Sequence, residues 1–286
     1  MKKTIVKTVV VTGASTGIGR GICKVLLAKG WRVFGSVRRR EDGARLAGEF
    51  GGSFTPLLFD VTDPRAIAEA RPQVAEALGG DTLSGLVNNA GIALGGLLVY
   101  MTPGEIAQQL AVNVQGPLNV TQAFLPLLGT DPSRKGEKGR IVMISSVGGT
   151  SATPFMGAYN TSKFALEGMS EALRRELMLF GIDVLVIAPG PVKTPIWTKG
   201  TALSDPRYLD SPYARVLEKL KPLLKDAAGG GLEPEAIGEA VYTALTAPHP
   251  KTRTVISPEP VGQFLANHLP KRMVDRMMGK RLGLIN

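Results

Sequence analysis

Three valines, Val9-Val10-Val11, run directly into Thr12-Gly13-Ala14-Ser15-Thr16-Gly17-Ile18-Gly19. A β-branched apolar run of this kind reads as a strand buried on both faces. The glycines that follow demand a turn where backbone passes through space that no side chain could share. In such a turn Gly13 permits the reversal, Gly17 lets the backbone approach a phosphate, and Gly19 lets the next helix pack against the sheet. The free N–H groups at that helix start carry partial positive charge and suit a pyrophosphate. The spacing is Gly-x-x-x-Gly-x-Gly rather than Gly-x-Gly-x-x-Gly.

Downstream the chain alternates β-rich and helical segments. Strands are predicted at Lys7–Val11, Arg32–Val37, Ser53–Phe59, Gly85–Val87, Arg140–Ile144, Asp183–Ile187 and Thr252–Ile256. Helices are predicted at Gly17–Lys29, Arg40–Gly48, Pro64–Leu78, Pro103–Leu128, Ala158–Phe180 and Pro234–Thr246. This βαβα order implies an α/β fold: a doubly wound parallel sheet of about seven strands with helices on both faces and right-handed connections. Residues 1–286 read as one domain, with Gly229-Gly230-Gly231 a flexible junction inside it. The stretch 195–231 is too long for an ordinary connection of about two to six residues. It reads as a lid over a binding site, with an amphipathic piece at Tyr213–Lys225.

Composition narrows the class. The chain is 44% hydrophobic and 20% charged, as in a globule with a substantial core. No apolar run approaches the roughly 18 residues that cross a bilayer, and the basic start Met1–Lys7 lacks the apolar stretch of a signal peptide. A cytoplasmic protein is expected. The single Cys23 rules out an internal disulfide and a cysteine-cluster metal site, and it reads as a buried structural thiol. His249 and His268 lie far apart, so no metal is expected. The net charge is +10, and residues 251–286 hold seven basic and two acidic side chains, half of that surplus. These charges lack interleaved aromatics, so no nucleic-acid partner is expected.

The end of the second strand bears on cofactor choice. Val37 stands where a ribose-binding acid would be placed, and Arg38, Arg39 and Arg40 follow. An acid there suits NAD, whereas an arginine cluster suits a 2′-phosphate. Arg38 and Arg39 therefore point to NADP(H), with Glu41 or Asp42 as imperfect ribose ligands under the NAD(H) alternative. Asp60-Val61 ends the third strand, where Asp60 either accepts from an adenine amino group or caps a helix; Asp63-Pro64 also looks like a helix start.

Tyr159 and Lys163 lie four residues apart in a predicted helix, and so share a face. An ammonium near a phenol favours phenolate and lowers its pKa. A tyrosine tuned in this way can exchange protons near neutral pH.

Taken together, these elements resemble the short-chain dehydrogenase/reductase family over about residues 5–260. The matches are Thr12–Gly19, Asn88-Asn89-Ala90-Gly91, Asn113 in Asn-Val-Gln-Gly, Ser145-Ser146, Tyr159 with Lys163, and Pro189-Gly190 with Thr194. The resemblance implies a Rossmann-like fold and an oxidoreductase that interconverts a carbonyl and an alcohol. It implies Tyr159 as general acid/base and Lys163 as the group that lowers its pKa and holds the nicotinamide ribose. It implies Ser146, thirteen residues before the tyrosine, on the substrate oxygen, and Asn113 holding a relay water. Ser145 is the alternative to Ser146. Cofactor contacts are implied for Gly13, Ser15, Thr16, Gly17, Ile18, Gly19, Asn89, Ala90, Gly91, Pro189, Gly190, Val192 and Thr194, beside Arg38, Arg39, Asp60, Val61, Tyr159 and Lys163. A non-catalytic NADP(H) sensor would not need to keep this set, and a sugar-nucleotide epimerase would show a different glycine spacing.

The candidate substrate pocket is mostly apolar: Ile92, Leu94, Leu98, Val147, Gly148, Thr153, Phe155, Met156, Pro191, Ile196 and Trp197. That favours a hydrophobic carbonyl or alcohol. Pro-Gly-Pro-Val-Lys-Thr-Pro-Ile and the extended C-terminus look most like the hydroxysteroid and retinol dehydrogenase branch, which implies a steroid- or retinoid-like substrate. A broad-range reductase of small ketones and aldehydes is the alternative. The family resemblance also implies a homodimer or homotetramer built from Pro103–Leu128 and Ala158–Phe180. Within the basic C-terminal extension 261–286, the tail Leu269–Ile285 reads as an amphipathic helix that caps the core or makes a dimer contact, or else as a weak peripheral contact with an anionic membrane.

Overall fold

The computed structural model describes residues 6–196, 205–218 and 230–285. Seven parallel strands form one sheet in the order β3-β2-β1-β4-β5-β6-β7. They are β1 (Thr8–Val11), β2 (Arg32–Val37), β3 (Phe54–Leu58), β4 (Gly85–Asn88), β5 (Arg140–Ile144), β6 (Val184–Pro189) and β7 (Arg253–Ile256). Each lies within a residue or two of its predicted run. The order reverses between β1 and β4, and a crevice opens beyond the carboxyl ends of strands at such a point.

The helices alternate between the two faces of the sheet. Val9 and Val11 enter a core shared with α1 (Gly17–Ala28) and α7 (Pro234–Thr246). Val10, between them, enters the opposite core with Phe34, Leu86 and Met143. That second core is closed by α3 (Pro64–Leu78), α5 (Gly116–Phe124) and α6 (Gly157–Glu176). Such fully buried side chains contribute about 1.5–3 kcal/mol each. Asp63 caps α3, accepting from the Arg65 and Ala66 amides at 3.0 and 3.2 Å. The remaining early helix, α2 (Arg40–Phe50), lies beside β3. Cys23 is fully buried, and desolvation drives its thiol well above the ordinary range.

The single helix predicted over 103–128 is broken. α4 (Pro103–Leu110) passes into a π-helical stretch, Ala111–Gln115, then α5 and a 3-10 turn at Leu125–Leu128. Pro117 has no N–H to offer the carbonyl four residues back, that of Asn113. The Gly116 amide reaches back five residues to Ala111 instead. Helix α6 likewise ends early, at Glu176, and Leu177–Phe180 continue as a 3-10 turn.

Beyond β6 the described parts of the 195–231 excursion pack against the body. A one-turn helix, Pro206–Leu209, brings Tyr208 into a small cluster with Leu97, Phe155, Val216 and Leu217. Arg207 grips the start of α4 through two bonds to Glu105, at 2.9 and 3.1 Å. Trp197, Leu220, Leu223 and Leu224 of the predicted pocket and lid lie outside the described residues. Two further helices follow β7: α8 (Pro260–His268) and α9 (Lys271–Leu282), the latter within the predicted amphipathic tail Leu269–Ile285.

Candidate active site

At the β1/β4 reversal the glycine turn is locked by side chains of the next strand end. Thr12 Oγ1 accepts from the Asn89 and Ala90 amides at 2.9 Å each, and Asn89 Nδ2 donates to the Thr12 carbonyl at 2.9 Å. Gly13 has φ +68° and Gly17 φ +55°, both left-handed. A Cβ on Gly19 would overlap the Gly13 carbonyl oxygen, and one on Gly17 would come within 3.1 Å of Thr194. The turn is therefore a backbone cradle, with Thr194 of the β6 loop leaning over it.

A cavity of about 660 Å³ extends from this cradle along the carboxyl ends of the strands. The cradle end is lined by Gly13, Ser15, Thr16, Gly17, Ile18, Gly19, Arg38, Asp60 and Val61, then by Asn89, Ala90 and Gly91. Pro189, Gly190, Val192 and Thr194 line the wall from β6. Ser146, Tyr159 and Lys163 line its far end. Two of the residues expected to hold the cofactor or take part in catalysis do not line it. Arg39 turns away, its Nε donating to Asp42 Oδ2 at 2.9 Å. Asn113 is buried behind the wall. Asp60 faces the cavity, but its Oδ1 already accepts from the Thr62 amide at 2.9 Å and hydroxyl at 2.7 Å.

Burial dominates the electrostatics at the far end. Desolvation raises the Tyr159 phenol above its usual pKa, with the neighbouring Ser146 hydroxyl drawing it partly back. Desolvation lowers Lys163 to about 8, opposed by the charge of Glu167. Lys163 Nζ donates to the Ile144 carbonyl at 2.8 Å and stands 5.7 Å from the Tyr159 ring centre. The expected lowering by Lys163 is outweighed in this arrangement: burial, which disfavours phenolate, is the dominant influence, and the phenol sits above its usual range. Tyr159 is held as a neutral phenol, the form able to donate a proton. Ser146 Oγ accepts from the Gly148 amide at 3.0 Å, whereas Ser145 Oγ is buried with no hydrogen-bond partner among the described residues.

Behind these groups sits a set of buried amides, of which sequence reading named only Asn113. Asn160 accepts from the Thr153 amide at 3.1 Å and donates to the Gly148 carbonyl at 3.0 Å, tying down the loop after Ser146. Gln109 and Asn113 both donate to the Ile92 carbonyl at 2.9 Å, and Asn113 also reaches Ser162 Oγ at 3.0 Å. Asn113 Oδ1 accepts from the Ile92 amide at 2.9 Å, so its side chain is committed to the wall. Arg45 donates to the Ser15 carbonyl at 2.8 Å across the cradle. Asn160 and Gln109 leave a faint signal: polar side chains at inward positions of helices. Arg45 leaves none.

Of the predicted substrate pocket, Ile92, Leu94, Val147, Gly148, Thr153, Met156, Pro191 and Ile196 line the cavity. Leu98 is exposed, and Phe155 packs into the small cluster under Tyr208. Phe155 has a left-handed φ of +68°, a strained conformation for an aromatic residue. Its carbonyl accepts from the Gly96 amide at 2.7 Å, which fixes the loop that leads into α6. Gln263 and Ala266 of α8 and Met278 of α9 close the outer side, a contribution the sequence did not indicate.

A glycine cradle at a strand-order reversal, with a serine, tyrosine and lysine at the other end of one cavity, defines the short-chain dehydrogenase/reductase family, and this chain belongs to it. The family model "short chain dehydrogenase" matches residues 7–203. The chain is 39% identical over 274 residues to an NADPH-dependent 3-dehydrocapnine reductase of Ornithobacterium rhinotracheale, covering 96% of each protein. It is 32% identical to retinol dehydrogenase 5 of Mus musculus, covering 94% of this chain and 86% of the relative. A crystal structure of a short-chain dehydrogenase from Streptomyces avermitilis superposes with a TM-score of 0.78 at 29% identity, covering 99% of this chain and 98% of that one.

Proposed function

We propose that this oxidoreductase interconverts a ketone or aldehyde and an alcohol on a hydrophobic substrate, using NADP(H). The observation that carries the reading is the placement of Ser146, Tyr159 and Lys163 in the same cavity as the glycine cradle. When bound, the nicotinamide supplies or accepts the hydride.

The residues fit such a cofactor. Gly13, Gly17 and Gly19 put bare backbone on the cavity wall, where a pyrophosphate can approach, and the start of α1 offers it free N–H groups. Arg38, with a side chain 76% exposed and only a loose 3.8 Å pairing with Asp60, is available for a 2′-phosphate. Thr194, Val192, Gly190 and Pro189 form the wall for the nicotinamide. The relative named as NADPH-dependent supports the same choice.

The Ser146 and Tyr159 hydroxyls donate to the substrate oxygen, where negative charge develops during reduction. Tyr159, kept neutral by burial, then gives up its proton. Lys163 keeps its charge at neutral pH and receives the nicotinamide ribose hydroxyls. Because the Asn113 side chain is committed, any relay water falls to its main-chain carbonyl, which Pro117 leaves without the usual α-helical donor. The apolar wall around Ile92, Val147, Met156 and Ile196 selects a hydrophobic substrate.

The same proposal places the chain in the cytoplasm as a homodimer or homotetramer built on α4, α5 and α6. The test is consumption of NADPH against a panel running from short ketones to long-chain, steroid and retinoid carbonyls, with NADH in parallel. Turnover that favours NADPH and rises with substrate hydrophobicity is expected. Binding of NADPH with no turnover on any carbonyl would point to the sensor reading instead.

A further inference from the structure

We propose that α8 and α9 form a docking surface for an anionic lipid bilayer, placing the cavity beside that bilayer. Both helices are two-sided. Gln263, Ala266 and Met278 face the cavity. On the outside, Phe264 is 59%, Met273 50% and Met277 56% exposed, and Leu265 and Ile285 are exposed as well. Apolar side chains gathered on two adjoining elements, outside any core cluster, mark an interaction surface.

The helical spacing sorts α9 into faces. Val274, Met278 and Leu282 fall at i, i+4 and i+8 and turn inward, with Leu282 packing against the small cluster that holds Tyr208. Met273, Met277 and Lys280 fall at i, i+4 and i+7 on the outer crest. Lys271, Arg272, Arg276, Lys280 and Arg281 are all exposed, and among the described residues none of them is in an ion pair. Asp275 is the single acid between Pro260 and Ile285. Methionines on a crest bordered by unpaired cations match an interfacial helix on anionic lipid, the apolar face entering and the cations meeting headgroups. A second copy of this chain would have to bring acids to the same crest, and α9 itself offers one.

Docking is independent of the proposed reaction; its consequence, direct entry of a membrane-dissolved substrate past Met278 and Ala266, rests on that reading. Co-sedimentation of the full chain with phosphatidylcholine vesicles, with and without phosphatidylglycerol, tests the docking. Pelleting with the anionic vesicles alone is expected, and it should be reversed by high salt, which shortens the screening length to about 3 Å at 1 M. Arg276→Glu with Lys280→Glu should weaken it at least about tenfold, since each cation near an anionic surface counts for about fivefold. Met273→Gln with Met277→Gln should also weaken it, with turnover of a short, water-soluble ketone unchanged.

Wild-type chain left in the supernatant with anionic vesicles would overturn the proposal. So would equal pelleting with neutral lipid, or a halved solution mass in the methionine variant, which would make the crest a contact between copies. The comparison of lipid compositions needs no variant, so misfolding of a substituted chain does not remove the test. Vesicle binding without carbonyl turnover would contradict the proposed reaction and leave the docking intact.

Discussion

Lys163 Nζ donates to the Ile144 carbonyl at 2.8 Å while standing 5.7 Å from the centre of the Tyr159 ring. The ammonium is thus anchored to the end of β5 while lying over the Tyr159 ring. Its burial has a measurable consequence. A free lysine titrates near 10.4, and Lys163 in the fold at about 8. Between these values the unfolded chain binds more protons than the folded one, so stability rises with pH across that window. The contribution is about 3 kcal/mol at most from about 1.4 kcal/mol per pH unit. Without added nucleotide, Lys163→Met should be more stable than wild type at pH 7, and the gap should close as pH rises from about 8 to 10. Thermal melts across that range check it. A gap that stays constant would mean that Lys163 is not desolvated.

Arg38 lines the cavity and Arg39 is tied to Asp42. Arg38→Ala should therefore raise the KM for NADPH about 10- to 100-fold, the effect of losing one charge-assisted bond, with little effect on NADH. Arg39→Ala should do much less. Steady-state kinetics with both nucleotides separate the two, and equal effects would show that Arg39 leaves Asp42 to share the phosphate.

Asn160 joins Gly148 to Thr153 across the loop that carries Ser146. Asn160→Ala strands a buried carbonyl and amide at a cost of about 1–3 kcal/mol. The expected result is a lower Tm and a lower kcat, with nucleotide affinity nearly unchanged because the cradle lies at the other end of the cavity. Thermal melts, turnover and a nucleotide titration check it. Loss of nucleotide binding would mean that the two ends are coupled through this loop.

Much of the fold was legible because buried parallel strands announce themselves. Val9–Val11, Arg140–Ile144 and Val184–Ile187 are near-continuous apolar runs, and the structure places them within a residue or two of expectation. The helix predicted over 103–128 is broken because apolar periodicity continues across Pro117, whereas helical hydrogen bonding does not. A missing N–H at Pro117 instead turned the segment at Asn113. Glycines and the Tyr159/Lys163 pair were readable because backbone freedom and i, i+4 spacing are local properties. Asn160, Gln109 and Arg45 act through contacts set by the tertiary fold, and sequence spacing does not reveal them. The sign of the Tyr159 pKa shift was misjudged for the same reason: spacing gives proximity along a helix but not depth of burial.

The central claim is that the Tyr159 hydroxyl donates the proton that accompanies hydride transfer. Single-turnover oxidation of bound NADPH by a hydrophobic ketone, compared between wild type and Tyr159→Phe, tests it most directly. The expected result is a hydride-transfer rate reduced about 10²- to 10⁴-fold, the range for loss of a general acid, with NADPH bound as tightly as before. An unchanged rate in the phenylalanine variant would contradict it.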